Sequence, residues 1–188
     1  MSTAAPLAIR PLVVADAPAF RDLRIAGIVE NPQYFGSPAD EEAAAGLPLF
    51  ESRIRGSLPG EAVFGAFRGA VLVGVAGMSR PASGTMKHRG NLWGVYVTPA
   101  ERGGDAAERL LRAVIDHARA HVEVLTGHVT VGNPRARAFY VRLGFGFSGV
   151  EHKILKVGDR HYDQEILVMD FAAPSAYLAA ESPSGVPS

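Results

Sequence analysis

Cysteine is absent from the 188 residues. That absence removes thiolate nucleophiles, disulfides and thiolate metal sites together, so any group transfer must proceed without a cysteine-linked intermediate. Net charge is missing as well. With 19 basic residues against 19 acidic ones, the chain lacks the broad electrostatic footprint that holds nucleic acid or an anionic membrane. No apolar run approaches a membrane span, and the Met1 to Pro6 leader lacks the basic and apolar regions of a secretory signal. Internal repeats are also lacking. These absences leave a cytoplasmic protein with small-molecule or peptide partners, no nucleic acid and no membrane. What is present is apolar mass: 47% of the residues are hydrophobic, enough for one ordinary domain to bury a core unaided by metal or disulfide.

The pattern along the chain alternates strands and helices. Residues 1–6 and 172–188, rich in Ala, Ser, Pro and Gly, lack periodicity and read as flexible ends, which leaves 7–171 as the domain. Ala8 to Pro11 reads as a strand, and Asp16 opens a helix with Phe20, Leu23, Arg24 and Ile28 on one face. Ser37, Pro38 and the acids Asp40, Glu41 and Glu42 predict a second helix start with Ser37 as the cap, running to about Arg55. Glu61 to Arg68 and Val71 to Ser79 read as a hairpin through Gly69 and Ala70. Lys87 to Thr98 adds a strand, and Leu110, Leu111, Val114, Ile115 and Ala118 mark a helix after it. Leu125 to Val131 is a strand and Pro134 to Arg142 a helix, followed by a hairpin from Phe147 to Phe171 through Gly158 and Asp159. The expectation is an α/β domain with a mixed, mostly antiparallel sheet flanked by helices.

Two segments bear chemistry. In the first, Tyr96 and Val97 lead through Pro99 and Arg102-Gly103-Gly104-Asp105 into the Ala107 to Leu111 helix. A glycine-rich turn entering a helix presents unpaired N–H groups and a positive dipole end, the setting that holds a phosphate. In the second, Asn133, Ala136, Tyr140 and Gly144-Phe145 follow a strand, so one small ligand can touch both Asn133 and Tyr140.

Together these segments resemble the acyl-coenzyme A pyrophosphate loop and the Asn, Tyr, Gly-Phe segment of the GNAT N-acetyltransferase superfamily, and the likeness extends over roughly Ile9 to Phe171. The resemblance implies the acyl-CoA N-acyltransferase fold, acetyl-CoA as co-substrate without a metal, and direct acetyl transfer to a primary amine of a small molecule or peptide. It implies Tyr140 as the general acid for the departing thiolate and Asn133 as a contact for the pantetheine arm or an orienter of the tyrosine. Val95, Tyr96 and Val97 would offer backbone groups to the pantetheine. Arg102, Gly103, Gly104, Asp105, Ala106 and Ala107 would hold the diphosphate, with Arg137 and Arg142 as further phosphate contacts. Many relatives dimerise through sheet or helix edges, so a homodimer is admitted.

The sequence departs from the family loop at Asp105, where a glycine belongs. Asp105 and Glu108 form a capping-box pattern that would occupy the amides a diphosphate needs. The alternative reading is therefore a GNAT-fold binding module with impaired CoA binding, a sensor or scaffold. On the acceptor side an amine must lose a proton, and Glu41, Glu42, His88 and Asp163 are candidates, with Glu42 foremost. Gly144 to Gly149 fits a dinucleotide fingerprint but stands after a helix and before a strand, the reverse of the required order. His117 and His121 lie one helical turn apart without a third ligand of matching spacing.

Overall fold

The computed structural model describes residues 5–173; most of the two expected flexible ends, at 1–4 and 174–188, lie outside them. The elements follow the alternation of the sequence: β1 (Leu7–Pro11), α1 (Ala17–Glu30), α2 (Ala39–Arg55), β2 (Ala62–Arg68), β3 (Val71–Ser79), β4 (Arg89–Val97), α3 (Ala106–Arg119), β5 (Val124–Thr130), α4 (Pro134–Arg142), β6 (Gly146–Val157) and β7 (Arg160–Asp170). The strands form one sheet in the order β1-β2-β3-β4-β5-β7-β6. Among the described strands only the β4–β5 pair is parallel, as α3 must cross over the sheet between them.

Strand alternation divides the core into two layers. Neighbours such as Val63 and Phe64 on β2 point to opposite faces. On one face Leu110, Leu111, Val114 and Ala118 of α3 pack with Phe64, Met78, Leu92 and Leu125. On the other, Phe20 and Leu23 of α1 and Phe50 of α2 pack with Val63, Val75 and Tyr96. α1 comes unusually close to β4: a Cβ at Gly27 would lie 2.9 Å from the Tyr96 ring, so only glycine lets the helix sit there.

The second helix departs from the expectation in two ways. Its cap is Pro38 and no side chain caps it, so Ser37 does not play that part. It also breaks at Gly46, whose φ of 65° is non-helical, just before Pro48; proline lacks the N–H that a continuous helix would use.

Candidate active site

β4 and β5 run paired only from Arg89 opposite Val124 to Asn91 opposite Thr126. Beyond that they part, along the stretch that holds Val95 to Val97. The parting has a local cause. β4 bulges against β3, where Val75 faces Tyr96 and Gly77 faces Trp93, leaving Gly94 and Val95 without partners on either side. Gly94 takes φ 67°, a left-handed conformation that glycine adopts without strain. Backbone polar groups of β4 are thus directed into an opening instead of a ladder.

Two cavities meet at that opening. The narrower one, about 220 Å³, lies between Val95 on β4, Val129 and Thr130 on β5, and Asn133, Phe139 and Tyr140 on α4. The wider one, about 560 Å³, extends past Trp93 to Arg24, Arg53, Ser57 and Glu61. Tyr34, Phe35, Leu92, Trp93, Gly94 and His128 line both. The turn that supplies Tyr34 and Phe35 is tied down by the Thr130 hydroxyl, which donates to the Gln33 carbonyl at 3.0 Å.

Tyr140 and Asn133 fall on the walls of the narrow cavity, where the sequence placed them. The Tyr140 ring packs edge-on against Phe145, centroids 5.6 Å apart. Burial alone pushes its phenol up to about 12, because a phenolate would be desolvated there. Asn133 caps α4, its Oδ1 accepting the Ala136 amide at 3.1 Å, and Pro134 fills the first helical position. Arg137 turns elsewhere: its Nε donates to Glu165 at 3.1 Å and its guanidinium covers the Phe147 ring. Arg142 is exposed and lies over Phe139. Tyr96 also faces away, its ring in the α1-side core and its hydroxyl donating to Glu30 at 2.7 Å, so only the backbone of this residue is available to the opening.

The loop into α3 corrects the capping-box expectation. Asp105 makes no side-chain cap bond; its carboxylate is exposed and leans toward Arg109 at 3.4 Å and Arg68 at 4.0 Å. Glu108 pairs with Arg112 one turn on, at 2.8 Å. The amides of Gly103, Asp105, Ala106, Ala107 and Glu108 therefore meet no protein acceptor among the described residues. Gly104 makes a long bond to Glu101 at 3.4 Å. The capping pattern fails because three nearby guanidiniums, of Arg68, Arg109 and Arg112, attract the carboxylates more strongly than exposed amides do. Arg102 forks onto Glu30 at 2.6 and 2.8 Å. That pair, together with Tyr96, holds the Glu30 carboxyl well below its ordinary range, at about 2.

Glu42 does not fit the expected role of base. It is 2% exposed and accepts from Arg24 at 3.0 Å and from Arg53 at 3.0 and 3.1 Å. Burial would raise its pKa, but the two guanidiniums outweigh that and hold it low, so the carboxylate is bound too firmly to take a proton from an amine. The other candidates are no better placed. Glu41 and His88 are exposed and line neither cavity. Asp163 clamps the β6 bulge, accepting from the Lys153 amide at 2.7 Å with His152 Nδ1 at 2.8 Å. His117 contacts the Gly60 carbonyl at 2.9 Å and stacks on His121.

The residue that sequence reasoning missed is His128. It lies on β5 where the two cavities meet, with Nε2 2.8 Å from Glu151 on β6. One signal was available: a lone imidazole amid the buried Leu125, Thr126, Val129 and Thr130. Its partner is distant in sequence, and only the β5-β7-β6 order brings the two together.

Comparisons with known proteins bear on the fold and the family. Among solved structures, the ribosomal-protein-alanine N-acetyltransferase of Brucella melitensis superposes with a TM-score of 0.73 at 24% identity, covering 87% of this chain and 99% of its own. An N-acetyltransferase of Staphylococcus aureus Mu50 gives 0.74 at 19%, covering 89% and 99%. The Salmonella typhimurium protein yncA, solved with its cofactor acetyl-CoA, gives 0.73 at 21%, covering 90% and 98%. No curated protein matches the sequence. At these identities the superpositions establish the fold, a seven-stranded mixed sheet with four flanking helices. The sequence itself matches the acetyltransferase (GNAT) family over residues 29–145, which spans β4, the Arg102 loop, Asn133, Tyr140 and Gly144-Phe145, and the chain therefore belongs to the GNAT acetyltransferase family.

Proposed function

We propose that this protein transfers an acetyl group directly from acetyl-CoA to a primary amine of a small molecule or peptide. The observation that supports it most is the opening at Gly94 between β4 and β5, in a cavity that Tyr140 and His128 both line. Acetyl-CoA would supply an activated acyl thioester. The free amides from Gly103 to Glu108 and the α3 dipole suit its diphosphate. The unpartnered backbone at Gly94 and Val95 and the Asn133 amide suit its pantetheine arm, with an N–H to stabilise charge on the acyl oxygen.

His128 takes the proton of the acceptor amine. Its Nε2 lies 2.8 Å from a Glu151 carboxylate oxygen, and an imidazole ring nitrogen is a side-chain group suited to accept such a proton. Tyr140 stays a neutral phenol throughout the physiological range and donates its proton to the leaving sulfur. Its high pKa does not by itself oppose that step, because the same desolvation raises the proton affinity of a thiolate.

Calorimetry with acetyl-CoA tests the reading. Binding in the micromolar range, with thiol release in the presence of amines, is expected. An absence of heat and of any thermal shift would sink it and leave the binding-module alternative.

A further inference from the structure

The wide cavity has an electrostatic asymmetry that amine transfer alone does not explain. Two guanidiniums, Arg24 and Arg53, line it together and share one carboxylate, Glu42. One positive charge is left over. Nor is the pair fully bonded: Arg24 Nη1 is buried and has no acceptor among the described residues. Buried donors in native proteins nearly always have one.

The position of this charge is specific. Arg24 stacks on Phe35 at 4.6 Å, and its Nη1 lies 3.1 Å from where a Cβ of Gly94 would stand. Arg53 lies over the Trp93 ring at 5.4 Å. Phe35, Trp93 and Gly94 are among the residues that line both cavities, so the surplus cation adjoins the place where the acceptor amine must react. Glu61, the acid at the far end, does not offset it there. Its oxygens accept the amides of Ser57, Leu58 and Arg80.

We infer that the acceptor is a free α-amino acid, whose carboxylate pairs with the Arg24–Arg53 wall while its neighbouring amine lies at the Gly94 opening. The inference rests on the acetyltransfer reading of the same site. The chemistry is mutually reinforcing. An anion beside the amine satisfies the surplus cation and gives the buried Arg24 Nη1 the acceptor it lacks among the described residues. The side chain would extend toward Ser57 and Ser79 in the remaining volume. An acceptor whose carboxyl is already in an amide bond, such as a peptide N-terminus, would leave the guanidiniums without a counter-charge.

The test compares the twenty L-α-amino acids with their α-carboxamides in a thiol-release assay with acetyl-CoA, alongside small polyamines and short peptides. At least one free amino acid is expected to turn over about tenfold or more faster, in kcat/KM, than its own amide. In Arg53→Gln that ratio should collapse toward one, while the calorimetric Kd for acetyl-CoA changes less than about threefold. Arg53→Lys, which keeps the charge, should retain most of the discrimination. The acid-to-amide ratio of the wild-type protein needs no variant, so it decides the matter even if Arg53→Gln fails to fold. Amides, polyamines or peptides reacting as well as or better than the free acids would overturn the inference and leave acetyl transfer intact. No thiol release from any amine would overturn both.

Discussion

Tyr140 and His128 line the same narrow cavity, and their environments differ. The phenol is buried without a charged partner, so it is held in its donor form. The imidazole is exposed, with the Glu151 carboxylate 2.8 Å from its Nε2. Replacing Tyr140 by Phe removes one hydroxyl and keeps the packing against Phe145; kcat should fall about 100-fold or more, with the calorimetric Kd for acetyl-CoA within about threefold of the wild type. Unchanged turnover would remove Tyr140 from its role. For His128→Gln, kcat should fall about 100-fold or more with the calorimetric Kd for acetyl-CoA within about threefold of the wild type, and unchanged turnover would assign the proton transfer to another group. That Tyr140 and Asn133 share one cavity wall was legible in the sequence because their spacing on one short helix is local. His128 was not, because β-strand register decides which cross-strand carboxylate it meets. Glu42 was misread for a related reason. Its position in the first turn of α2 suggests a solvated acid, and nothing local reveals that Arg24 and Arg53 enclose it.

At the scale of elements, the start of α3 shows a local pattern overruled by its surroundings. Asp105 and Glu108 have capping-box spacing, yet Arg68, Arg109 and Arg112 draw both carboxylates outward and the amides remain free. The acidic side chain then acts on a diphosphate only through space, as an exposed charge screened by salt. Asp105→Asn should therefore tighten acetyl-CoA binding only modestly, by about two- to fivefold at low ionic strength, and the gain should fade as salt is added. A gain of several hundredfold, insensitive to salt, would show that the carboxylate had blocked the amides after all. The strand and helix order was readable throughout, since periodicity and glycine or proline punctuation are local signals. The break of α2 at Gly46 and Pro48 was readable in principle, because both residues disfavour helix interiors, but the acids of the first turn masked it.

For the molecule as a whole, the Glu30 cluster gives a pH dependence with a definite sign. Arg102 first and Tyr96 second lower the Glu30 carboxyl from its ordinary value near 4.5 to about 2. A carboxyl lowered on folding stabilises the protein fully above its unfolded value, and the contribution is lost as pH falls toward the folded one. Thermal unfolding of the wild type should thus lose more Tm between about pH 5 and pH 2.5 than that of Glu30→Gln, the two curves converging at the acid end. Parallel curves would mean that the cluster adds nothing to folding. The mixed sheet and its flanking helices were expected from the sequence, whereas this cluster was not. It joins the last turn of α1 to β4 and to the Arg102 loop, three places far apart in the chain.

The contact of α1 with β4 at Gly27 has a mechanical meaning. With no side chain between helix and ring, and with Glu30 latched to the same Tyr96, helix and strand behave as one stiff piece. Arg24 and Gly94 ride on that piece, so the separation between the proposed carboxylate site and the proposed point of transfer is set by atoms in contact and not by the reach of a loop. Misplacements of about 1 Å can cost catalysis two orders of magnitude, and a spacing built this way leaves little room for such drift.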